Sequence, residues 1–259
     1  MITETAHLAS TPLVLDATGL THHYPGNPLP ALDGLDLHLH EGEVFGLLGP
    51  NGAGKTTAIA ILSTILTPGS GSVVIKGHDL RRQKRAVRRI IGLVPQEIAL
   101  YPALTTRENL RFFGKLHGLE GKLLIRRIEE TLTAVGLETR ADQQISTFSG
   151  GMKRRANLAA GMLHHPQILF LDEPTVGIDA QSRDLILDRI ETLRDRGTTV
   201  LYTTHYMEEA QRLCSRVAIM DQGRILTEGS LDQLLVQGPA GSDLGVLFLN
   251  LTGKQLRDG

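Results

Sequence analysis

The sequence predicts an α/β fold with an antiparallel β portion at the N-terminal side and a helical insertion. Three observations carry this reading. The runs 43–48 (EVFGLL) and 168–172 (ILFLD) are almost wholly apolar, as strands buried on both faces are. Residues 35–40 alternate instead, with Leu35, Leu37 and Leu39 against Asp36, His38 and His40, the period of a strand with one wet face. From about 97 to 150 the apolar period lengthens to that of helices.

Composition bounds the answer. The 259 residues are enough for one large domain or two small ones, with 41% hydrophobic and 21% charged residues. A core of ordinary size needs no staples at this length, and the single cysteine excludes a disulfide framework. Glycine, 28 of 259 residues, is in excess and asks for tight turns or close backbone approach to a ligand. A net charge of -1 and 4% aromatic residues without Trp exclude a nucleic-acid partner as the expectation. Apolar runs fall short of the ~18 residues of a membrane span, and the first residues lack the basic and apolar regions of a signal peptide. The chain is therefore expected to stay in the cytosol and to meet a membrane only through a partner.

The elements follow in order. The strand at 43–48 runs into GPNGAGKTT (49–57), and the apolar segment 58–66 reads as a helix ended by Pro68–Gly71. A strand is expected at 72–77. The stretch 81–89 carries six basic residues and reads as a solvated helix face, or as a docking surface for a partner or anionic lipid. A strand at 90–95 follows. Thr105 and Glu108 fit a capping box that opens a helix through Leu110, Phe113 and Leu116. Leu124, Ile128, Leu132 and Val135 mark a second helix, closed by Gly136. Then come the strand at 168–172, a helix over 180–196, a strand at 198–204, a short helix from Met207, and a hairpin over 216–229 that turns at Asp221–Gly223. Residues 237–245 read as a loose linker before a last apolar piece, Val246 to Leu251.

Chemistry concentrates at a few places. Gly49, Pro50, Asn51, Gly52, Ala53, Gly54, Lys55, Thr56 and Thr57 fit G-x-x-x-x-G-K-[ST] between a strand and a helix. Such glycines let backbone amides converge on phosphate oxygens, the lysine reaches the β/γ-phosphates, and the Thr56 hydroxyl meets Mg²⁺. A strand tip is a costly place for Asp172 and Glu173 unless a cation or donors wait there. Asp172 suits Mg²⁺, directly or through water, and Glu173 suits the base that activates an attacking water. His38 and His40 share a strand face and read as solvated, and Cys214 as a small buried residue.

Taken together, the phosphate loop, Gln96, FSGGMKRR (148–155), ILFLDEP (168–174), Asp179 and His205 resemble, in this order, the ATP-binding cassette (ABC) ATPases over about residues 12 to 235. Ser149-Gly150-Gly151-Met152 resembles the family signature LSGGQ, with Phe148 for Leu and Met152 for Gln. The resemblance implies a P-loop NTPase (RecA-like) α/β core, about 12–96 and 152–236, with an N-terminal antiparallel β subdomain, an inserted α-helical subdomain at about 97–151, and a tail at 237–259.

It also implies roles. Ser149 and the Gly150 and Gly151 amides would face the γ-phosphate held by a second subunit, with Asp179 at the dimer interface. Gln96 would contact Mg²⁺ or the attacking water, and His205 the γ-phosphate and Glu173. Tyr24, or its neighbour His23, would stack on adenine. ATP and Mg²⁺ would be the cofactors. Partners would be a homodimer or heterodimer of ATPase subunits and a separate transmembrane permease, which places the chain peripherally on the cytoplasmic face of the membrane. Segments 101–119 and 206–225 resemble the ABC-2 type exporters of drugs, polysaccharides or lipids. The alternative is a soluble ABC ATPase, an assembly or ribosome-acting factor.

Overall fold

The structure is a computed structural model that describes residues 11–237 and 243–253. Two sheets organise it. Strands β1 (Leu13–His22), β2 (Leu32–His40), β4 (Ser70–Ile75) and β5 (His78–Asp79) form an antiparallel sheet in the order β2-β1-β4-β5. Strands β3 (Val44–Leu48), β6 (Ile91–Val94), β7 (Ile168–Asp172), β8 (Thr199–Thr204), β9 (Arg216–Asp221) and β10 (Arg224–Ser230) form the second sheet, in the order β10-β9-β3-β8-β7-β6. It is parallel except for the β9–β10 hairpin. The expected alternation holds in β2, where Leu35, Leu37 and Leu39 are buried and Asp36 is exposed.

Strands β3 and β7 are buried throughout, yet their faces differ. Phe45, Leu47, Ile168 and Phe170 join a core shared with the antiparallel sheet and helix α1 (Lys55–Leu62). Val44, Leu48, Leu169 and Leu171 join a core shared with the helices of the other layer. These are α3 (Thr106–Leu116), α4 (Gly121–Ala134), α5 (Gly150–Met162), α6 (Ala180–Asp195) and α7 (Met207–Leu213), in part. The second sheet therefore divides two cores, the arrangement that demands apolar residues on both strand faces.

Local signals explain the helix boundaries. Thr105 accepts from the Glu108 amide at 3.1 Å and the Glu108 carboxylate accepts from the Thr105 amide at 2.8 Å, so the capping box exists. Ser149, Asp179 and Asp243 cap α5, α6 and α9 (Leu244–Thr252). Helix α8 (Leu231–Gln237) precedes α9.

Two expectations are corrected. The segment 58–66 is not a helix to its end: α1 begins at Lys55 and stops at Leu62. Thr64 takes a left-handed backbone, φ +69°, and the amides of Ile65 and Leu66 both fold back to the Ala60 carbonyl at 2.9 Å. Arg88, in helix α2 (Lys84–Ile90), donates to the Thr64 hydroxyl at 2.6 Å, and Arg81 and Lys84 reach the Pro68 carbonyl and the Thr67 hydroxyl. Part of the basic stretch thus secures this turn instead of facing only solvent. The apolar piece at 246–251 lies within helix α9, whose Leu244, Leu247 and Phe248 are buried in the same core as Leu234. Residues 238–242 of the expected linker lie outside the described residues.

Candidate functional site

Parallel strands deliver their C-terminal ends to one edge, where open α/β sheets bind ligands. The loop 49–54 follows β3, Gln96 follows β6, Asp172 ends β7, and His205 follows β8. The antiparallel sheet contributes Tyr24 from the β1–β2 connection, and the β9–β10 turn contributes Gln222. A cleft of about 780 Å³ opens here, lined among others by Tyr24, Gly52, Lys55, Thr56, Gln96 and Glu173. His23 is not in its wall.

The loop is shaped for anions. Gly54 has φ +109°, and a Cβ there would stand 2.4 Å from the Ala31 carbonyl, so only glycine fits. No side chain caps the start of α1, which leaves its first amides and the positive end of its dipole turned to a ligand. Lys55 is 5% exposed; its Nζ donates to the Gly49 carbonyl at 2.7 Å and lies 3.2 Å from Glu173 Oε1. Thr56 is exposed toward the cleft, whereas Thr57 is buried.

The paired carboxylates face different surroundings. Burial pushes Asp172 above its ordinary value, against hydrogen bonds from Thr203, at 2.7 Å, and from Thr56. Burial acts the same way on Glu173, but His205 and Lys55 outweigh it and hold that carboxyl below its ordinary value. His205 Nδ1 lies 3.2 Å from Glu173 Oε2, close enough for a charge pair though not aligned as a hydrogen bond. Gln96 Nε2 donates to the same oxygen at 3.5 Å. Glu173 itself has φ +44°, fixed by its amide, which donates to Thr203 Oγ1 at 3.0 Å. Low dielectric makes each of these charge contacts count for more than it would in water.

The structure brings Tyr24, residues 51–57, Gln96 and Glu173 to one cleft wall. Asp172 and His205 stand against that wall through Thr56 and Glu173. Ser149, Gly150, Gly151, Met152 and Asp179 are elsewhere. Ser149 and Gly150 are exposed, and none of the five lines the cleft. Asp179 caps α6 through Ser182, at 2.8 and 2.9 Å, and a Cβ on Gly151 would fall 2.0 Å from Ser182 Oγ. The signature glycine is thus required by contact between α5 and α6.

Sequence reasoning missed Thr203 and Arg154. Thr203 sits opposite Asp172 only because β7 and β8 pair in that register. Arg154 donates to the Gln96 carbonyl across 58 positions of sequence. Its signal was no more than one of three adjacent basic residues, Lys153–Arg155.

A glycine cradle on a strand–helix turn, a buried lysine within it and a carboxylate pair at the tip of β7 define a P-loop nucleotide-binding protein. More narrowly, the chain belongs to the ABC transporter family, whose profile matches residues 32–176. It is 49% identical over 201 residues to the linearmycin resistance ATP-binding protein LnrL of Bacillus subtilis, a match that covers 78% of this chain and 65% of that protein. It is 43% identical over 217 residues to the Nod factor export ATP-binding protein I of Paraburkholderia xenovorans, over 84% of this chain and 71% of that one. The chain thus spans about two thirds of the length of these relatives. Among solved structures it is similar to an ATP-binding subunit of an ABC transporter, with 30% identity, a TM-score of 0.84, and 92% and 99% of the two chains covered. A dimeric ATP-binding cassette in a post-hydrolysis state bound to ADP and Pi is also similar, at 26% identity, TM-score 0.77, and 83% and 98% coverage.

Proposed function

We propose that this chain binds and hydrolyses ATP to energise a membrane transporter, as the ATPase subunit of an ABC-2 type exporter. The observation that carries the chemistry is the convergence of Lys55, Glu173, His205 and Gln96 beside a glycine cradle. The residues fit the nucleotide. Loop amides and Lys55 match phosphate oxygens, and Tyr24, 41% exposed, lines the same cleft and offers its ring for adenine. They also fit Mg²⁺, since the Thr56 hydroxyl, the Gln96 amide and the buried Asp172 carboxylate form a hard oxygen donor set. When bound, Mg²⁺ would neutralise phosphate charge. Glu173, ionised at neutral pH, would accept the proton of the attacking water, and His205 would hold the carboxylate and the γ-phosphate in place.

Ser149, Gly150 and Gly151 serve a second copy in this reading. Ser149 and Gly150 are exposed at the N-terminus of α5, Gly151 is buried against α6, and all three lie away from the chain's own cleft, so two chains head to tail would complete two sites. The similar cassette bound to ADP and Pi is dimeric, which supports pairing of two copies. Among the described residues no helix is long and apolar enough to cross a membrane. In this reading a separate permease carries the cargo path, with this chain peripheral on its cytoplasmic face. The relatives' names, resistance and export, favour transport over a soluble assembly or ribosome-acting role.

The test is reconstitution with any multi-span membrane protein encoded beside its gene. ATP hydrolysis that rises when the two are combined in vesicles supports the reading. Hydrolysis indifferent to every such partner, with ATP binding intact, refutes the transport role.

A further inference from the structure

The segment after β6 is held from one side by helix α5. Asn157, 3% exposed, donates to the Pro95 carbonyl at 3.1 Å and accepts from the Ala99 amide at 3.2 Å. One turn earlier, the Arg154 guanidinium donates to the carbonyl of Gln96 between these two anchors. Asn157 thus anchors the backbone on both sides of Gln96. Arg154 adds a charge.

That charge is poorly placed for a purely structural bond. Arg154 is half-buried, and among the described residues no carboxylate pairs with it. Burial works against its charge, and the Glu173 carboxylate is the group whose field supports it. The bond to the carbonyl is charge-assisted, but partial desolvation of the guanidinium is costly, and a nearby anion offsets that cost. Glu173 is that anion, and the same Gln96 whose carbonyl Arg154 holds donates its side-chain amide to Glu173 Oε2 at 3.5 Å. Arg154 also stands two residues from Met152, on the helix that starts with Gly150 and Gly151.

We propose that Arg154 is a positioning residue: by holding the Gln96 carbonyl it aims the Gln96 amide at Glu173 and binds that contact to the helix carrying Ser149–Gly151. This inference rests on the ATPase reading above. A neutral side chain at 154 leaves the Pro95–Ala99 anchors to Asn157 but frees the Gln96 amide, so it should touch turnover more than binding.

The full chain is compared with its Arg154→Gln and Arg154→Lys variants. Arg154→Gln is expected to keep its melting temperature and its affinity for a fluorescent ATP analogue within about threefold, while kcat falls about 10- to 100-fold, as misplacement of a reacting group does. In the nucleotide-free chain, amide exchange at Gln96 and Glu97 should quicken while Ala99 stays protected. Arg154→Lys, which keeps the charge, should recover much of kcat. Undiminished kcat in Arg154→Gln overturns the role, as does equal loss of melting temperature and binding, or a lysine variant no better than the glutamine one. Glu173→Gln run beside them separates two failures. If it is inactive and Arg154→Gln is not, only the role of Arg154 falls. If the parent chain has no Glu173-dependent hydrolysis, the ATPase reading falls and takes this one with it.

Discussion

Lys55 Nζ lies 3.2 Å from Glu173 Oε1, with both side chains less than a tenth exposed. The phosphate-seeking cation of the loop is thus already in contact with the carboxylate that the proposed chemistry needs free. In the proposed chemistry an incoming triphosphate would compete with Glu173 for Lys55. Its arrival would hand the lysine to the phosphates and release Glu173 toward water, while His205 stays within 3.2 Å of its other oxygen.

Glu173→Gln should therefore do two things. Removing the competing charge should tighten ATP binding several-fold, and removing the base should lower kcat by about 100- to 10,000-fold. Equilibrium binding and steady-state hydrolysis on the same preparation check both. Undiminished turnover would end the assignment of Glu173.

Ser149 and Lys55 belong to different halves of the proposed composite site. Ser149→Arg should bind ATP normally yet not hydrolyse it, and Lys55→Ala should bind it poorly. Mixed together, the two inactive chains should regain at most roughly a quarter of parental turnover, because random pairing makes about half the dimers mixed, each with one intact site. A mixture as inactive as its components would argue that the helix α5 N-terminus does not serve a second copy.

Tyr24 hangs over the cleft with its hydroxyl 3.3 Å from Thr57 Oγ1, and His22 packs edge-on against it at 4.8 Å. Tyr24→Ala should cost about 1–3 kcal/mol of ATP affinity, the range of a base stacked on an aromatic ring. Inorganic triphosphate, with no base, should bind both forms alike. Tyr24→Phe should keep most of the affinity, and His23→Ala all of it, since His23 is outside the wall. If His23→Ala is the weaker binder, the stacking group is misassigned.

His164 offers a pH test away from the cleft. Burial, then the charge of neighbouring His117, lowers it to about 4. Its ring stacks on His117 at 3.6 Å, and its Nε2 is 2.8 Å from the Ile91 carbonyl. The unfolded chain takes up this proton near pH 6.5, the folded chain only near 4. Stability is therefore complete above 6.5 and falls as pH drops through that window, by on the order of 3 kcal/mol at most. Denaturant unfolding of His164→Gln should show a smaller loss between pH 7 and pH 4.5 than the parent. Identical losses would mean that His164 does not carry this linkage.

The chemistry that lies in contiguous residues was legible. The loop at 49–57, the acids at the end of β7, the capping box at Thr105 and the alternation in β2 each depend on neighbours a few positions away. Their spacing alone states what backbone they need. Helix α1 shows the limit of that reasoning: its apolar run continues to Leu66, and only the Thr64 turn, held by Arg88 from another helix, stops it at Leu62. The same limit hid Thr203 and Arg154, whose partners are reached across a strand pair and between layers.

By itself, then, the sequence determined which residues are candidates for nucleotide chemistry and which strands and helices present them. The tertiary structure decided which of them meet. Lys55 faces Glu173 across 118 positions, and Thr203 meets Asp172, because strand order puts β8 between β3 and β7 in one fixed register. A slip of one residue between β7 and β8 would turn Thr203 away from Asp172, so that contact is settled only when both cores close against the sheet.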